Sequence, residues 1–254
     1  MQRSQQGWQV ADALLQSEDT NVRFFGALTF TIKINQDWNS LNEADATQLL
    51  YRLVEWLIQL TKSHESALVL RKLCSALIAY YLRPSGAWQQ SIRHLLISFN
   101  AGRPIVLDRL SAERSPTSSL VETLNGTQRP TILWFASGLV EEVNKADSAS
   151  IQSYKYYERV STNVADVVDL LHHSISAASR GDFGLAEHGV KCFQVCSFYP
   201  FIPSIATFHP KDVAVIRLQN LFQECEKIEY NAFLCNGEYP QQQLSIPRTC
   251  LPEP

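Results

Sequence analysis

The sequence predicts an all-α fold: a right-handed α-solenoid, or superhelix, of about five HEAT-type helix pairs. Two observations predict it. Apolar residues recur once per helical turn in one segment after another, and these segments follow each other in pairs at intervals of about 40 residues. Such a pair cannot bury its apolar face alone, so neighbouring pairs are expected to stack into one continuous core.

The composition fits a large core and excludes several classes of protein. The chain has 254 residues, 45% of them apolar, and a net charge of −3. No basic field gathers phosphate, so we expect no direct nucleic-acid partner. An apolar secretory segment is absent and the apolar runs are too short to span a bilayer, which predicts an intracellular protein without membrane insertion. The six cysteines show no paired C-x-x-C spacing and are expected to be buried thiols.

The first two helices are predicted over residues 8–16 and 21–34. The second of these, NVRFFGALTFTIKI, is ambiguous because its latter half alternates like a strand. A helix cap within residues 19–21 favours a helix that is apolar on most sides because it packs on several neighbours. Gly26 either allows close contact with another helix or is merely tolerated there. The apolar residues at helical spacing are Val22, Phe25, Leu28 and Ile32.

Three further helices are predicted before residue 100. Ser40 and Glu43 match a capping box, S-x-x-E, ahead of an apolar stripe over residues 46–58. Another stripe covers residues 70–81, RPSG breaks the chain, and a third stripe covers residues 88–99. Residues 1–100 are therefore predicted to form helix pairs one to three.

Residues 101–129 are predicted to form a mobile surface insertion, because they are rich in Arg, Ser, Thr and Pro and long for a plain connection. Their arginines could pair with an acidic partner surface or respond to phosphorylation, with a disordered insertion as the alternative. These arginines are Arg103, Arg109, Arg114 and Arg129.

Residues 130–227 are predicted to hold pairs four and five. The fourth pair comprises TILWFASGLVEEV and a long helix over residues 151–180, which Gly181 ends. The fifth comprises LAEHGVKCFQVCSF and KDVAVIRLQNLFQEC, separated by prolines. Residues 228–254 lack apolar periodicity and are expected to form an irregular tail. Gly237-Glu238-Tyr239 is what a typical fungal splice-donor stretch would encode, so we hypothesise that the tail is translated intron, which sequencing the transcript tests.

One stretch carries a family resemblance. GWQVADALLQSEDTNVRFFGALTFTIKINQDW resembles the N-terminal repeats of the importin-beta (karyopherin) superfamily, where a Trp-led helix, an acidic turn, NVR-x-F-GA and a K-I ending follow in that order. LCSALIAYYLRPSGAWQQSIRHL, LVEEV and GVKCFQVCSF resemble the branch of importin thirteen and transportin-SR. The resemblance extends by helix order over residues 8–225. It implies the N-terminal part of a truncated fungal member, in which the family's first helix survives only as MQRSQQG.

The resemblance also implies a function: a nuclear transport receptor that binds the small GTPase Ran in its GTP form and carries protein cargo past nuclear pore proteins, between nucleus and cytoplasm. It implies no catalysis and no cofactor. Ran would contact the second helices, which line the concave face. On those helices the candidate Ran contacts are Gln9, Asp12, Gln16, Asp45, Gln48, Arg52, Glu55, Gln90, Arg93 and His94.

Alternatives to that function stay open. Polar stripes can simply be solvated, and Arg23 could bond turn carbonyls rather than a partner. The chain could be a HEAT scaffold for protein–protein interaction unrelated to transport. Asp166, Asp169, His172 and His173 could begin a metal site of a helical enzyme, but a second helix supplies no obvious further ligand. Cys192, Cys196 and His188 could form a thiol nucleophile, although packing inside a repeat explains them better.

Overall fold

The computed structural model describes residues 6–83, 88–145, 156 and 159–197. This part of the chain is an all-α helical solenoid and contains no strand, which confirms the predicted all-α solenoid, while its right-handedness stays a prediction. In chain order the α-helices are α1 (Gly7–Leu15), α2 (Thr20–Asp37), α3 (Glu43–Lys62), α4 (Ala67–Tyr81), α5 (Ser91–Ala101), α6 (Thr117–Glu122), α7 (Gln128–Lys145), α8 (Val164–Ile175) and α9 (Phe183–Ser197). Short 3-10 helices cover Trp38–Ser40, Leu107–Ala112 and Ser176–Arg180.

The helices lie in two layers. In one layer α2, α4, α7 and α9 pack side by side in chain order, and in the other α1, α3, α5 and α8 follow each other. Contacts between the layers join α1 to α2, α3 to α4, α5 to α7 and α8 to α9. A core in which each helix touches only near neighbours is the arrangement expected of stacked repeats.

Helix α2 resolves the ambiguity between strand and helix. The Asp19 carboxylate caps it by accepting hydrogen bonds from the amides of Asn21 at 2.7 Å and Val22 at 3.2 Å. A Cβ atom on Gly26 would lie 3.0 Å from the carbonyl oxygen of Ala11 and from the amide nitrogen of Leu15. Close contact between α1 and α2, rather than mere tolerance, therefore accounts for glycine at this position.

The predicted capping box of α3 is wrong. Ser40 belongs to a 3-10 turn, where its hydroxyl donates to the carbonyl oxygen of Asp37 at 2.6 Å. The helix begins at Glu43, and Asn42 is its cap, since the Asn42 side chain accepts from the Asp45 amide at 2.8 Å. The Ser40 hydroxyl therefore stabilises the turn that follows α2 and does not cap α3.

Residues 101–129 contain more structure than the sequence predicts. They include the 3-10 helix Leu107–Ala112 and α6. Their mobility stays a prediction, but several apolar side chains anchor the segment in the core, and the Leu107 amide donates to the Tyr51 hydroxyl at 3.1 Å. The anchoring residues are Leu110, Leu120, Val121 and Leu124.

The predicted single helix over residues 151–180 is wrong in its described part: a turn at residues 162–163 precedes α8, and the chain continues after α8 as a 3-10 helix. Helix α9 agrees with the sequence. Gly181, at φ 85°, ends the 3-10 turn after α8 in the left-handed conformation that favours glycine. The predicted helix over residues 211–225 and the irregular tail over residues 228–254 lie outside the described residues. No helix in the described part is long and apolar enough to cross a membrane.

Candidate partner-binding groove

An open groove of about 550 Å³ runs between α1 and α3. Its apolar surface comes from one aromatic side chain on each of α1 and α2, together with smaller residues: Trp8, Ala13, Phe30, Leu41 and Leu49. Its polar surface comes from six of the ten predicted contact residues, Gln9, Asp12, Gln16, Asp45, Gln48 and Arg52. The structure therefore brings together candidates that lie up to 43 positions apart in the sequence, Gln9 and Arg52.

The carboxylate of Asp12 joins the two helices that line the groove. Arg52 donates to it twice, from Nε at 2.6 Å and from a terminal nitrogen at 2.8 Å. The indole N–H of Trp56 donates to the same carboxylate at 2.7 Å, and the Arg52 guanidinium lies 4.9 Å from the centre of that ring. Hydrogen bonds from Arg52 lower the pKa of Asp12, so the carboxylate is ionised at neutral pH. This network fixes α1 against α3.

The charge of the groove is net negative. Asp12 and Asp45 are its acidic lining residues and Arg52 its basic one. Glu55, beside the groove, accepts a further hydrogen bond from Arg52 at 2.7 Å, so two carboxylates neutralise this guanidinium. The exposed amides of Gln9 and Gln48 can donate and accept hydrogen bonds. Such a surface suits a protein partner that presents basic and hydrogen-bonding side chains.

The three predicted contacts near α5 do not join the groove. Gln90 is exposed, as expected of a surface contact. His94 is not on the surface: its side chain is fully buried, accepts from the Trp88 indole at 3.0 Å, and bonds the carbonyl oxygen of Ile105 at 2.7 Å. Burial lowers the pKa of His94 to about 4, so the ring is neutral at pH 7. The sequence placed it on the polar face because histidine at this spacing resembles a surface residue.

Arg93 likewise makes its contacts in the interior of the solenoid. Its guanidinium donates to the carbonyl oxygens of Glu113 at 2.9 Å and Ser115 at 2.8 Å, and it pairs with Asp166 at 3.4 Å. This arginine ties the segment before α6 to α5 and α8. We therefore withdraw Arg93 and His94 from the predicted contact set.

Arg23 has the structural role that the sequence allowed as an alternative. Its guanidinium bonds the carbonyl oxygen of Ser17 in the turn before α2 and the carboxylate of Glu65 in the turn before α4. It therefore joins two neighbouring turns. Of the four arginines in residues 101–129, Arg129 bonds the carbonyl oxygen of Glu122, while the other three are exposed.

The two possible enzyme sites do not assemble in the described residues. No group of three or more metal-ligating side chains converges there. The Asp166 carboxylate instead accepts hydrogen bonds from Arg93 and Thr117. A hydrogen bond with Cys196 and burial both raise the pKa of the Cys192 thiol, which disfavours the nucleophilic thiolate. His188 packs edge-on against the Trp134 ring at 5.5 Å.

Sequence reasoning missed two polar residues that join neighbouring helices within the layer of α1, α3, α5 and α8. Trp56 was not among the predicted contact residues, although its spacing of four residues from Arg52 places both side chains on one helix face. Asn163 precedes α8 but caps α5: its side-chain oxygen accepts from the Ile92 amide at 3.0 Å, 71 positions away. The sequence carries no local signal for a cap supplied over that distance.

Comparison with known proteins shows a local similarity. A 57-residue segment, 22% of this chain, is 46% identical to importin beta-like protein kap111 of Schizosaccharomyces pombe and spans 6% of that protein. The similarity supports the importin-beta superfamily and does not distinguish its branches. No protein-family model matches the chain, and no solved structure matches it.

Proposed function

We propose that this chain is the N-terminal part of an importin-type nuclear transport receptor that binds Ran in its GTP form. The receptor would carry protein cargo past nuclear pore proteins and shuttle between nucleus and cytoplasm, without catalysis. The observation that supports this proposal most is the local identity to an importin beta-like protein, found in a chain that is itself a helical solenoid. The branch of importin thirteen and transportin-SR remains our more specific proposal.

The groove between α1 and α3 is the proposed Ran site. It offers exposed polar side chains on two adjacent helices of one layer, fixed relative to each other by Asp12, Arg52 and Trp56. A prearranged surface loses less conformational freedom on binding. The proposed contacts are Gln9, Asp12, Gln16, Asp45, Gln48, Arg52 and Glu55, with Gln90 further along the same layer.

The mechanism would use the flexibility of stacked repeats. Each helix contacts only its near neighbours, so small rotations between pairs change the curvature of the whole chain. Ran-GTP bound at α1 and α3 would favour one curvature, while cargo bound elsewhere in the receptor would favour another. Binding of the two ligands would then be coupled, and by linkage each would weaken the other equally.

A pull-down with Ran loaded with GTP or with GDP tests the proposal. The chain should retain Ran-GTP in preference to Ran-GDP. Gln48→Arg adds bulk and charge in the groove without breaking any hydrogen bond described above, and it should weaken Ran-GTP binding by about tenfold or more. Glu142→Arg is the matched control, because Glu142 is 46% exposed on α7 in the other layer.

The control should bind like the native chain. Equal binding of the two nucleotide forms, or none, would contradict the proposal and favour a HEAT scaffold unrelated to transport. Equal loss in both variants would contradict the assignment of Ran binding to the groove.

A further inference from the structure

Ser115 and Pro116 stand between the 3-10 helix Leu107–Ala112 and α6. They form the sole Ser-Pro or Thr-Pro pair in the 254-residue sequence. The backbone is extended at Glu113, with φ −81° and ψ 110°, and at Pro116, with φ −63° and ψ 143°. Arg114 and Pro116 are exposed on either side of the half-buried serine. A serine flanked by extended backbone and exposed neighbours, and followed by proline, has the form in which proline-directed protein kinases bind their substrates.

We propose that Ser115 is a phosphorylation site of a proline-directed kinase and that Glu113 makes the surrounding segment respond to the phosphate. In the transfer, the Ser115 Oγ attacks the γ-phosphorus of ATP, an O–P bond forms, and the bond to the β-phosphate breaks to release ADP. The hydroxyl proton passes to the catalytic aspartate of the kinase. This inference is independent of whether the chain binds Ran.

The contacts of Ser115 explain why phosphate would change the structure. The Ser115 hydroxyl donates to Oε1 of Glu113 at 2.6 Å, and the Ser115 amide donates to the same oxygen at 3.1 Å. These hydrogen bonds lower the pKa of Glu113, so its carboxylate is ionised at neutral pH. Phosphorylation removes the hydroxyl proton and places close to two negative charges beside that carboxylate. The hydrogen bond is replaced by repulsion.

The effect reaches the core through Arg93. That arginine holds the carbonyl oxygens of Glu113 and Ser115 and pairs with Asp166 on α8. Displacing Glu113 therefore strains the link between this segment, α5 and α8. Arg93 is a partly buried cation bonded to the Ser115 carbonyl oxygen, and a phosphate that draws it away from Asp166 would leave that carboxylate, in a site 10% exposed, with its hydrogen bond from Thr117.

The experiment treats the full chain with ATP and a purified proline-directed Ser/Thr kinase, and locates the phosphate by peptide mass spectrometry. We expect a single phosphate on Ser115, none on Ser115→Ala, and uptake slowed by about tenfold or more for Pro116→Ala. Ser118→Ala, at an exposed serine of α6, is the matched control and should react like the native chain. No uptake by the native chain, or equal rates with and without Pro116, would overturn the assignment.

A second measurement tests the role of Glu113. Phosphorylation should lower the Tm of the native chain by about 2–4 °C, the shift expected for loss of one hydrogen bond in a chain of this size. In Glu113→Gln the neutral amide removes the repulsion, so the same phosphate should lower the Tm by less than half as much. An unchanged or raised Tm in the native chain would refute the proposed response.

Discussion

Replacing Asp12 by Ala removes the group that joins α1 to α3. The substitution leaves the Trp56 indole N–H without its acceptor, and Trp56 is 6% exposed, so little water can replace the carboxylate. An unsatisfied buried donor costs about 1–3 kcal/mol. The Arg52 pair adds less than about 1 kcal/mol, because both side chains are partly solvated, at 37% and 26% exposure. We expect Asp12→Ala to lower the free energy of unfolding by about 2–3 kcal/mol.

Urea unfolding followed by circular dichroism measures this loss, and two further variants define its source. Glu55→Ala removes only an exposed i,i+3 contact to Arg52 and should cost less than about 0.5 kcal/mol. In a Trp56→Phe background the indole donor is absent, so Asp12→Ala should then cost about 1 kcal/mol or less. If Asp12→Ala lowers the free energy of unfolding by less than about 0.5 kcal/mol in the native background, or by the same amount in both backgrounds, Asp12 does not hold α1 against α3 in the way described.

Two further predictions concern helix contact and acid stability. Gly26→Ala gains about 1 kcal/mol from the higher helix propensity of alanine, but its Cβ atom would press on backbone atoms of α1 at an overpacking cost of about 1–3 kcal/mol. Urea titration should therefore show a net loss of about 1 kcal/mol in the free energy of unfolding. Gly126→Ala, where added carbon meets nothing within 4 Å, should stay within about 0.5 kcal/mol of native, and a stabilised Gly26→Ala would contradict the close packing. For His94 the folded pKa is lowered from 6.5 to about 4, so the unfolded chain binds more protons and stability falls as pH drops through that window. His94→Gln should reduce that fall by up to about 1.4 kcal/mol per pH unit, and an unchanged pH profile would contradict the buried neutral ring.

The apolar periodicity of the sequence was sufficient to predict most of the longer helices, but not α6 or the 3-10 helix within residues 101–129. It decided α2 correctly even though residues 28–34 also alternate, because a helix packed on both sides needs apolar residues on most of its surface. The cap of α3 could not be predicted from its motif. Ser40 and Asn42 are both good caps in sequence, and only the course of the preceding 3-10 turn decides between them.

Polar stripes predicted the groove but not its internal organisation. Six of the predicted contacts lie on α1 and α3, where spacing along each helix does place them on one face, and Gln16 directly follows α1. His94 and Arg93 could not be recognised as interior residues, since their partners are carbonyl groups of residues 105–115, a segment whose path no periodic pattern indicates. Leu110 of this segment and Leu120 of α6 are also buried, but they are too isolated in sequence to signal a core.

Hydrogen exchange of the chain with and without Ran tests the central claim most directly. If the groove binds Ran-GTP, amides of α1 and the first turns of α3 should exchange more slowly with Ran-GTP than with Ran-GDP, while α7 and α9 in the other layer should be unchanged. Slowed exchange confined to α7 and α9, or no difference between the two nucleotide forms, would contradict the account.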